Sequence, residues 1–322
     1  MDYDVAGKTI LITGGAGSFG RVFTRDVLKE NPEAVLVYSR GEYLQTRVGE
    51  ALADDRVRFI IGDVRSRRAL DYAMQGVDVV VHAAAMKHVP ICEDNPVEAL
   101  QTNVTGTLNV IDAAIRNLVD RVVLISTDKA VHPASLYGAT KMIAERLIIQ
   151  SNAYAGKTRL SCARFGNFLG SSGSVIPRFM EQKKTGTLTV TDDRMTRFWI
   201  TLSQGAELTL EVVRQMQGGE VFVPKIPSML ITDLALAIAP DAKISITGIR
   251  PGEKLHELLI TEDEARHTVE HDKYYVIEPE FPFWKAHGAP VGPGFRYASD
   301  TNREWLTKDQ IRAMLHLVGK GD

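Results

Sequence analysis

Short apolar runs rich in β-branched residues alternate with amphipathic stretches through the first half of this chain. Thr9 to Thr13, Ala34 to Tyr38, Val57 to Ile61, Val77 to His82 and Val122 to Ser126 each read as a buried parallel strand. An amphipathic segment follows each run, the longest from Asn95 to Asn117, with Pro96 suited to the first turn of a helix. Strand-helix repetition of this kind predicts an α/β fold with a doubly wound parallel sheet. Ligands on such sheets sit beyond the carboxyl ends of the strands.

The pattern loosens after about residue 165. Gly170-Ser171-Ser172-Gly173-Ser174 reads as a loop, and Pro224, Pro227, Pro251 and Gly252 punctuate the second half. Helices are expected near Ser203 to Gln217 and Ile231 to Ile238. The expected organisation is a dinucleotide-binding domain over residues 1–165 and a smaller α/β substrate lobe over 166–322, which returns strands to the main sheet. No internal repeat or low-complexity linker separates them.

Two turns carry candidate chemistry. Gly14, Gly17 and Gly20 form a Gly-x-x-Gly-x-x-Gly turn, with Ala16, Ser18 and Phe19 between them, at the first strand-helix junction. Glycine there lets backbone N–H groups approach a pyrophosphate at a helix N-terminus, the Rossmann arrangement. At the end of the second run, Ser39 and Arg40 suit the 2′-phosphate of NADP, while Glu42 keeps NAD open. Asp63 and Val64 are placed to meet the adenine, and Ala83-Ala84-Ala85 leaves room for the cofactor backbone, although ordinary close packing also explains the alanines.

The second turn is Ser126-Thr127-Asp128-Lys129, followed by Tyr137 and Lys141. Tyr-x-x-x-Lys places both side chains on one helix face, where an ammonium lowers a phenol's pKa and lets it accept a proton. The spacing recurs by chance and gains meaning from the dinucleotide turn upstream. A Ser-Thr-Asp run alone is commonly a helix cap.

Composition narrows the picture. The 322 residues carry a net charge of −2 with acids and bases interspersed, which argues against nucleic acid as the main partner. No apolar run is long enough to span a bilayer, and the first thirty residues hold no signal-like apolar region. Cys92 and Cys162 show neither paired nor metal-ligand spacing, so a cytoplasmic protein without a metal site is expected. His88 and His132 read as packing or surface histidines, and the Asn103-Val104-Thr105 sequon carries little weight in that compartment.

Together these residues resemble the extended short-chain dehydrogenase/reductase superfamily, with Asn103 at the expected helical place. Within it the chain resembles the inverting UDP-N-acetylglucosamine 4,6-dehydratases that begin pseudaminic acid biosynthesis. The matching stretches are TGGAGSFG (13–20), HAAAMKHVPICEDNP (82–96), STDKA (126–130), LYGATK (136–141), RMTRFWITL (194–202), GGEVFVPKIPSM (218–229) and GIRPGEKLHE (248–257). Gly41, Tyr43 and Leu44 depart from the pattern in the cofactor loop.

The resemblance implies C4 oxidation, loss of water across C5 and C6, and reduction at C6. Tyr137, held by Lys141, would take the C4 hydroxyl proton. Lys129 would act as a neutral amine on the C5 proton, its pKa depressed by burial and by Lys141, with Asp128 assisting loss of the C6 hydroxyl. Ser126 and Thr127 would bond the sugar, Lys87 would touch substrate, and Asn167, Arg178, Thr196, Arg197, Arg250 and Lys254 would cradle the nucleotide diphosphate. A homo-oligomer, as a hexamer, is implied too, while flagellin, lipopolysaccharide and capsule are all compatible destinations.

Alternatives are a UDP-HexNAc 4-epimerase, a capsule-type dehydratase/epimerase, and a non-catalytic NADP-sensing protein. Capsule relatives often carry methionine where this chain has Tyr137, an epimerase has no use for the Asp-Lys pair, and a silent protein need not keep both Tyr137 and Lys141.

Overall fold

The computed structural model describes residues 3–171, 173–281, 284 and 288–321; Ser172 of the expected loop lies outside them. The first half forms β1 (Thr9–Thr13), α1 (Ser18–Val27), β2 (Ala34–Ser39), α2 (Glu42–Leu52), β3 (Val57–Ile61), α3 (Arg67–Ala73) and β4 (Val79–His82). Then come α4 (Val89–Asp94), α5 (Pro96–Leu100), α6 (Gly106–Arg116), β5 (Arg121–Thr127), α7 (Leu136–Ser151) and β6 (Arg159–Phe165).

Among the described residues the main sheet has ten strands, and its parallel part runs β3-β2-β1-β4-β5-β6. Val221–Pro224 adds in parallel beside β6. Tyr274–Ile277, Thr268–Glu270 and Ala289–Pro290 then extend the sheet antiparallel, so it is mixed. Four described strands from the second half thus join the main sheet. Its remaining described strands form small sheets, and a second apolar core includes Phe179, Trp199, Met229 and Leu234.

Two expectations need correction. β3 is not buried: it forms the sheet's outer edge, with Phe59 36% and Ile61 60% exposed. The long helix from Pro96 is not uniform. Gln101–Thr105 forms a π turn between α5 and α6, and Asn103 lies in it. Such one-turn widenings re-aim a side chain without ending the helix.

The widened turn serves a hydrogen-bond network. The Asn103 side chain accepts from Met86 N (2.8 Å) and donates to Met86 O and Thr140 Oγ1 (both 2.9 Å). Thr140 Oγ1 in turn donates to Tyr137 O (2.7 Å). The loop after β4 and the start of α7 are therefore tied to one buried amide.

Candidate active site

A cleft of about 1210 Å³ runs along the carboxyl ends of the parallel strands. One end is walled by the glycine turn. Gly14 has φ +69°, and a Cβ there would stand 2.8 Å from the Ala84 backbone, so only glycine lets the β1 and β4 ends approach. Gly17 caps α1 without a side chain to engage its first-turn N–H groups. Ala16, Ser18, Phe19 and Gly20 complete this wall, and Ser39, Arg40, Asp63, Val64 and Ala84 line the cleft with it.

The end of β2 presents a serine and an arginine to the cleft. Ser39 Oγ is held by Gln45 Nε2 (3.0 Å), while the Arg40 side chain is 62% exposed and 4.0 Å from Asp63. Asp63 is itself engaged by Arg65 at 2.6 Å; these arginines outweigh the burial that opposes its charge and hold its carboxyl below the usual range. Arg40 is thus a cation facing this end of the cleft, and the Tyr38-Ser39-Arg40-Gly41 run itself carries no carboxylate. An α1 N-terminus capped by glycine, a glycine cradle and this arginine together suit NAD(P).

At the middle of the cleft β5 ends in Thr127, which caps a single turn, Asp128–Ala130, by accepting from Lys129 N (3.3 Å). That turn packs on the start of α7. A Cβ on Gly138 would lie 2.2 Å from Lys129 O, so the glycine after Tyr137 brings the turn and the tyrosine together. Ser126, Thr127, Lys129, Tyr137 and Lys141 all face the cleft. Ser126 Oγ is buried without a hydrogen-bond partner among the described residues, as an atom awaiting a ligand would be.

The charges here differ from expectation. Burial opposes the Lys129 cation, but the Asp128 carboxylate 2.9 Å away and Glu257 at 3.6 Å outweigh it and raise its pKa. Lys129 rests as an ammonium, not as the neutral amine expected from burial and Lys141. Burial, and then the Glu257 charge, push the Asp128 carboxyl up. Asp128 is fully buried behind Lys129 and does not line the cleft.

Tyr137 also departs from expectation. Burial pushes its phenol up to about 12, and the nearby Lys129 ammonium only partly offsets this. Lys141 is instead turned to donate to Ile125 O (2.8 Å), and burial lowers its pKa to about 8.

The second half, with Lys87 from the loop after β4, supplies the far wall. Lys87, Asn167, Arg178, Arg197, Arg250 and Lys254 also line the cleft, and Asn167 Oδ1 is buried and unpaired among the described residues. Burial, then the Lys129 charge, lower the Lys87 pKa. Arg178 donates to Thr189 Oγ1 (2.9 Å). Thr196 does not join them: it is 3% exposed and bonded to His256 Nδ1 (2.8 Å) and Ser299 Oγ (2.7 Å), a strut rather than a wall residue. His88 does line the cleft and is exposed, close against Gly173.

Sequence reasoning missed Glu257. It is 2% exposed, lines the cleft, and lies within ion-pair reach of Lys129, Arg197 and Lys254. The signal was present, as the last acid of GIRPGEKLHE, but the motif's basic residues masked it.

Residues 10–279 match the family described as polysaccharide biosynthesis protein. The chain is 45% identical, over 95% of its length and 96% of the relative's, to a UDP-N-acetylglucosamine 4,6-dehydratase (inverting) of Campylobacter jejuni. It is 41% identical to a UDP-glucose 4-epimerase of Rickettsia akari, over 84% of this chain and 82% of that one. Among solved structures, Pen from Bacillus thuringiensis superposes with TM-score 0.90 at 39% identity, covering 98% of this chain and 100% of that one. The dTDP-glucose 4,6-dehydratase DesIV of Streptomyces venezuelae, solved with NAD and TYD bound, gives TM-score 0.70 at 25% identity over 77% and 86% of the two chains. With its glycine cradle, Tyr137-Lys141 pair and parallel sheet, the chain belongs to the polysaccharide biosynthesis protein family, within the extended short-chain dehydrogenase/reductases that include the inverting UDP-N-acetylglucosamine 4,6-dehydratases.

Proposed function

We infer that this chain is a UDP-N-acetylglucosamine 4,6-dehydratase that inverts C5. One observation carries the inference: a lysine amine, Lys129, shares a cleft wall with the Tyr137-Lys141 pair, where an oxidising site would present a base to the carbon next to the oxidised one. The near full-length likeness to the Campylobacter enzyme supports the same substrate.

A nicotinamide cofactor in the glycine cradle would supply the hydride acceptor for C4 and the hydride donor for C6. Tyr137 first gives up its phenol proton to solvent through the cleft, the resulting phenolate being favoured by the Lys129 cation, and then takes the C4 hydroxyl proton. The new C4 carbonyl acidifies the C5 proton. Lys129 passes its own proton to Asp128 across 2.9 Å and then, as an amine, takes the proton from C5. Asp128 is sealed from the cleft, so its proton reaches the departing C6 oxygen through Thr127, whose hydroxyl is 2.9 Å from Asp128 Oδ1 and faces the cleft. C5 is then protonated on the opposite face to give the inverted centre; of the two protons held by Lys129 and Tyr137 one goes to C5 and the other leaves Lys129 charged, so the Asp128-Lys129 pair is restored. Water is the only group lost.

NADP is the proposed cofactor over NAD, supported by Ser39 and Arg40 at the end of β2. Lys87, Asn167, Arg178, Arg197, Arg250 and Lys254 are the proposed substrate contacts. Self-association is proposed as well, supported by exposed Val97, Leu100, Leu108, Met142 and Ile143 on adjoining helices.

The test is turnover of UDP-N-acetylglucosamine in D2O. The expected product is the L-arabino 4-keto-6-deoxy sugar nucleotide with deuterium at C5, read by NMR. Deuterium at C5 with unchanged configuration would reject inversion. A C4 epimer formed without loss of water would favour the second reading, a 4-epimerase, which the 41% identity to the rickettsial enzyme supports.

A further inference from the structure

Glu257 takes no part in that proton path, yet its placement is specific. Its Oε1 lies 3.6 Å from both Lys129 Nζ and Arg197 Nε, and its Oε2 lies 3.4 Å from Lys254 Nζ. Its backbone is anchored independently of the carboxylate: Glu257 N donates to Ser299 Oγ (2.9 Å), and Ser299 N donates back to Glu257 O (2.8 Å). Lys254 is also tied to the catalytic turn, donating to Val131 O (2.7 Å) and Asp128 O (3.3 Å). The second half of the chain thus presents one carboxylate, flanked by two cations, to the amine of the turn after β5.

We propose that Glu257 is a positioning residue for the C5 proton transfer: its carboxylate holds the Lys129 ammonium at the cleft wall and sets the pH at which that amine becomes free to act as a base. This deepens the dehydratase reading and rests on it for the use made of the amine, but not for the amine's charge.

The charged groups facing Lys129 come from five places. Asp128 is in its own turn, Glu257 and Lys254 precede the strand Leu258–Ile260, Arg197 lies in the strand Thr196–Ile200, Lys87 follows β4, and Tyr137 opens α7. Only two of these are carboxylates. Removing the Glu257 charge halves the counter-charge on Lys129 and leaves Arg197 and Lys254 uncompensated beside it. Both changes favour the neutral amine. A purely structural stitch between the two halves would have no such effect on proton affinity.

The experiment measures Lys129 acetylation by acetic anhydride against pH, read by mass spectrometry on the full chain without substrate. In the native chain, reactivity is expected to keep rising at about pH 10.5, where an ordinary lysine is levelling off. A plateau below that pH overturns the proposal even if no variant folds. In Glu257→Gln the profile should move down by at least about one pH unit, and the acid limb of kcat for dehydration should move with it. Glu257→Asp, which keeps the charge, should stay close to the native profile. A Glu257→Gln profile that coincides with the native one overturns the proposal. Because labelling needs no sugar nucleotide, a wrong substrate would show as missing turnover with the labelling shift intact.

Discussion

Asp128 and Lys129 are neighbours in sequence joined by a 2.9 Å ion pair, but only Lys129 faces the cleft. The single turn after β5 points one side chain to the ligand and the other into the protein. In the proposed proton path Asp128 stores a proton for its neighbour, and Thr127, bonded to it, would be the outlet.

That division separates two variants. Lys129→Ala removes the base and should lower dehydration by on the order of 10²–10⁴. Asp128→Asn leaves the amine in place but without its proton acceptor, and should also lose on the order of 10². Both should bind UDP-N-acetylglucosamine within a few-fold of the native protein by calorimetry. Normal turnover in either variant would remove that residue from the proton path.

Tyr137 should ionise late in the ligand-free protein, since burial pushes its phenol up to about 12. The ultraviolet difference titration between the native chain and Tyr137→Phe isolates this group. A step near 10, the value of free tyrosine, would contradict the burial argument. Turnover by Tyr137→Phe should fall by on the order of 10² or more, and unchanged activity would remove it as the proton acceptor at C4.

Most of the fold was legible because it follows from local pattern. The β1, β2, β4 and β5 runs are apolar on both faces, and the glycine turn marks the first junction. β3 misled because a β-rich run does not say whether a neighbour covers it; only the strand order puts it at the edge. The site was legible as a set of residues but not as a set of charges. Lys129 keeps its charge through Asp128 beside it and Glu257, which is 128 positions away in the chain, and Thr196 turns inward because His256 and Ser299 close around it. Such long-range partners leave no mark in spacing.

Cofactor choice gives a separate prediction. If Arg40 meets a 2′-phosphate, Arg40→Ala should weaken NADP binding by about tenfold, roughly 1.4 kcal/mol, and leave NAD nearly unchanged. Fluorescence titration with each reduced dinucleotide measures the ratio. Equal losses for both would place Arg40 at the pyrophosphate or outside the site.

His82 predicts an acid limit to stability. Its ring is 1% exposed and stands between Thr13 Oγ1 at 2.6 Å and Thr107 Oγ1 at 3.1 Å. Thr107 Oγ1 gives its proton to Asn103 O (2.6 Å), so it accepts from His82 Nε2–H. Nδ1 of the neutral ring is then the acceptor for the Thr13 hydroxyl, whose oxygen also accepts from Ala84 N (3.3 Å). A second ring proton, on Nδ1, would meet the proton that Thr13 Oγ1 directs at it and would require that hydroxyl to turn away. Burial, and then the Lys141 charge, lower the His82 pKa to about 3. Above pH 6.5 the ring is neutral in both folded and unfolded chains, and it contributes no pH dependence. As pH falls from 6.5 towards 3 the unfolded chain takes up the proton first, so stability is lost, by up to about 5 kcal/mol at the lower end. Urea unfolding of the native chain and His82→Asn, compared between pH 7 and 4, measures the difference. The native chain should lose stability faster than the variant as pH falls; parallel curves would mean that the ring is not held neutral by its surroundings.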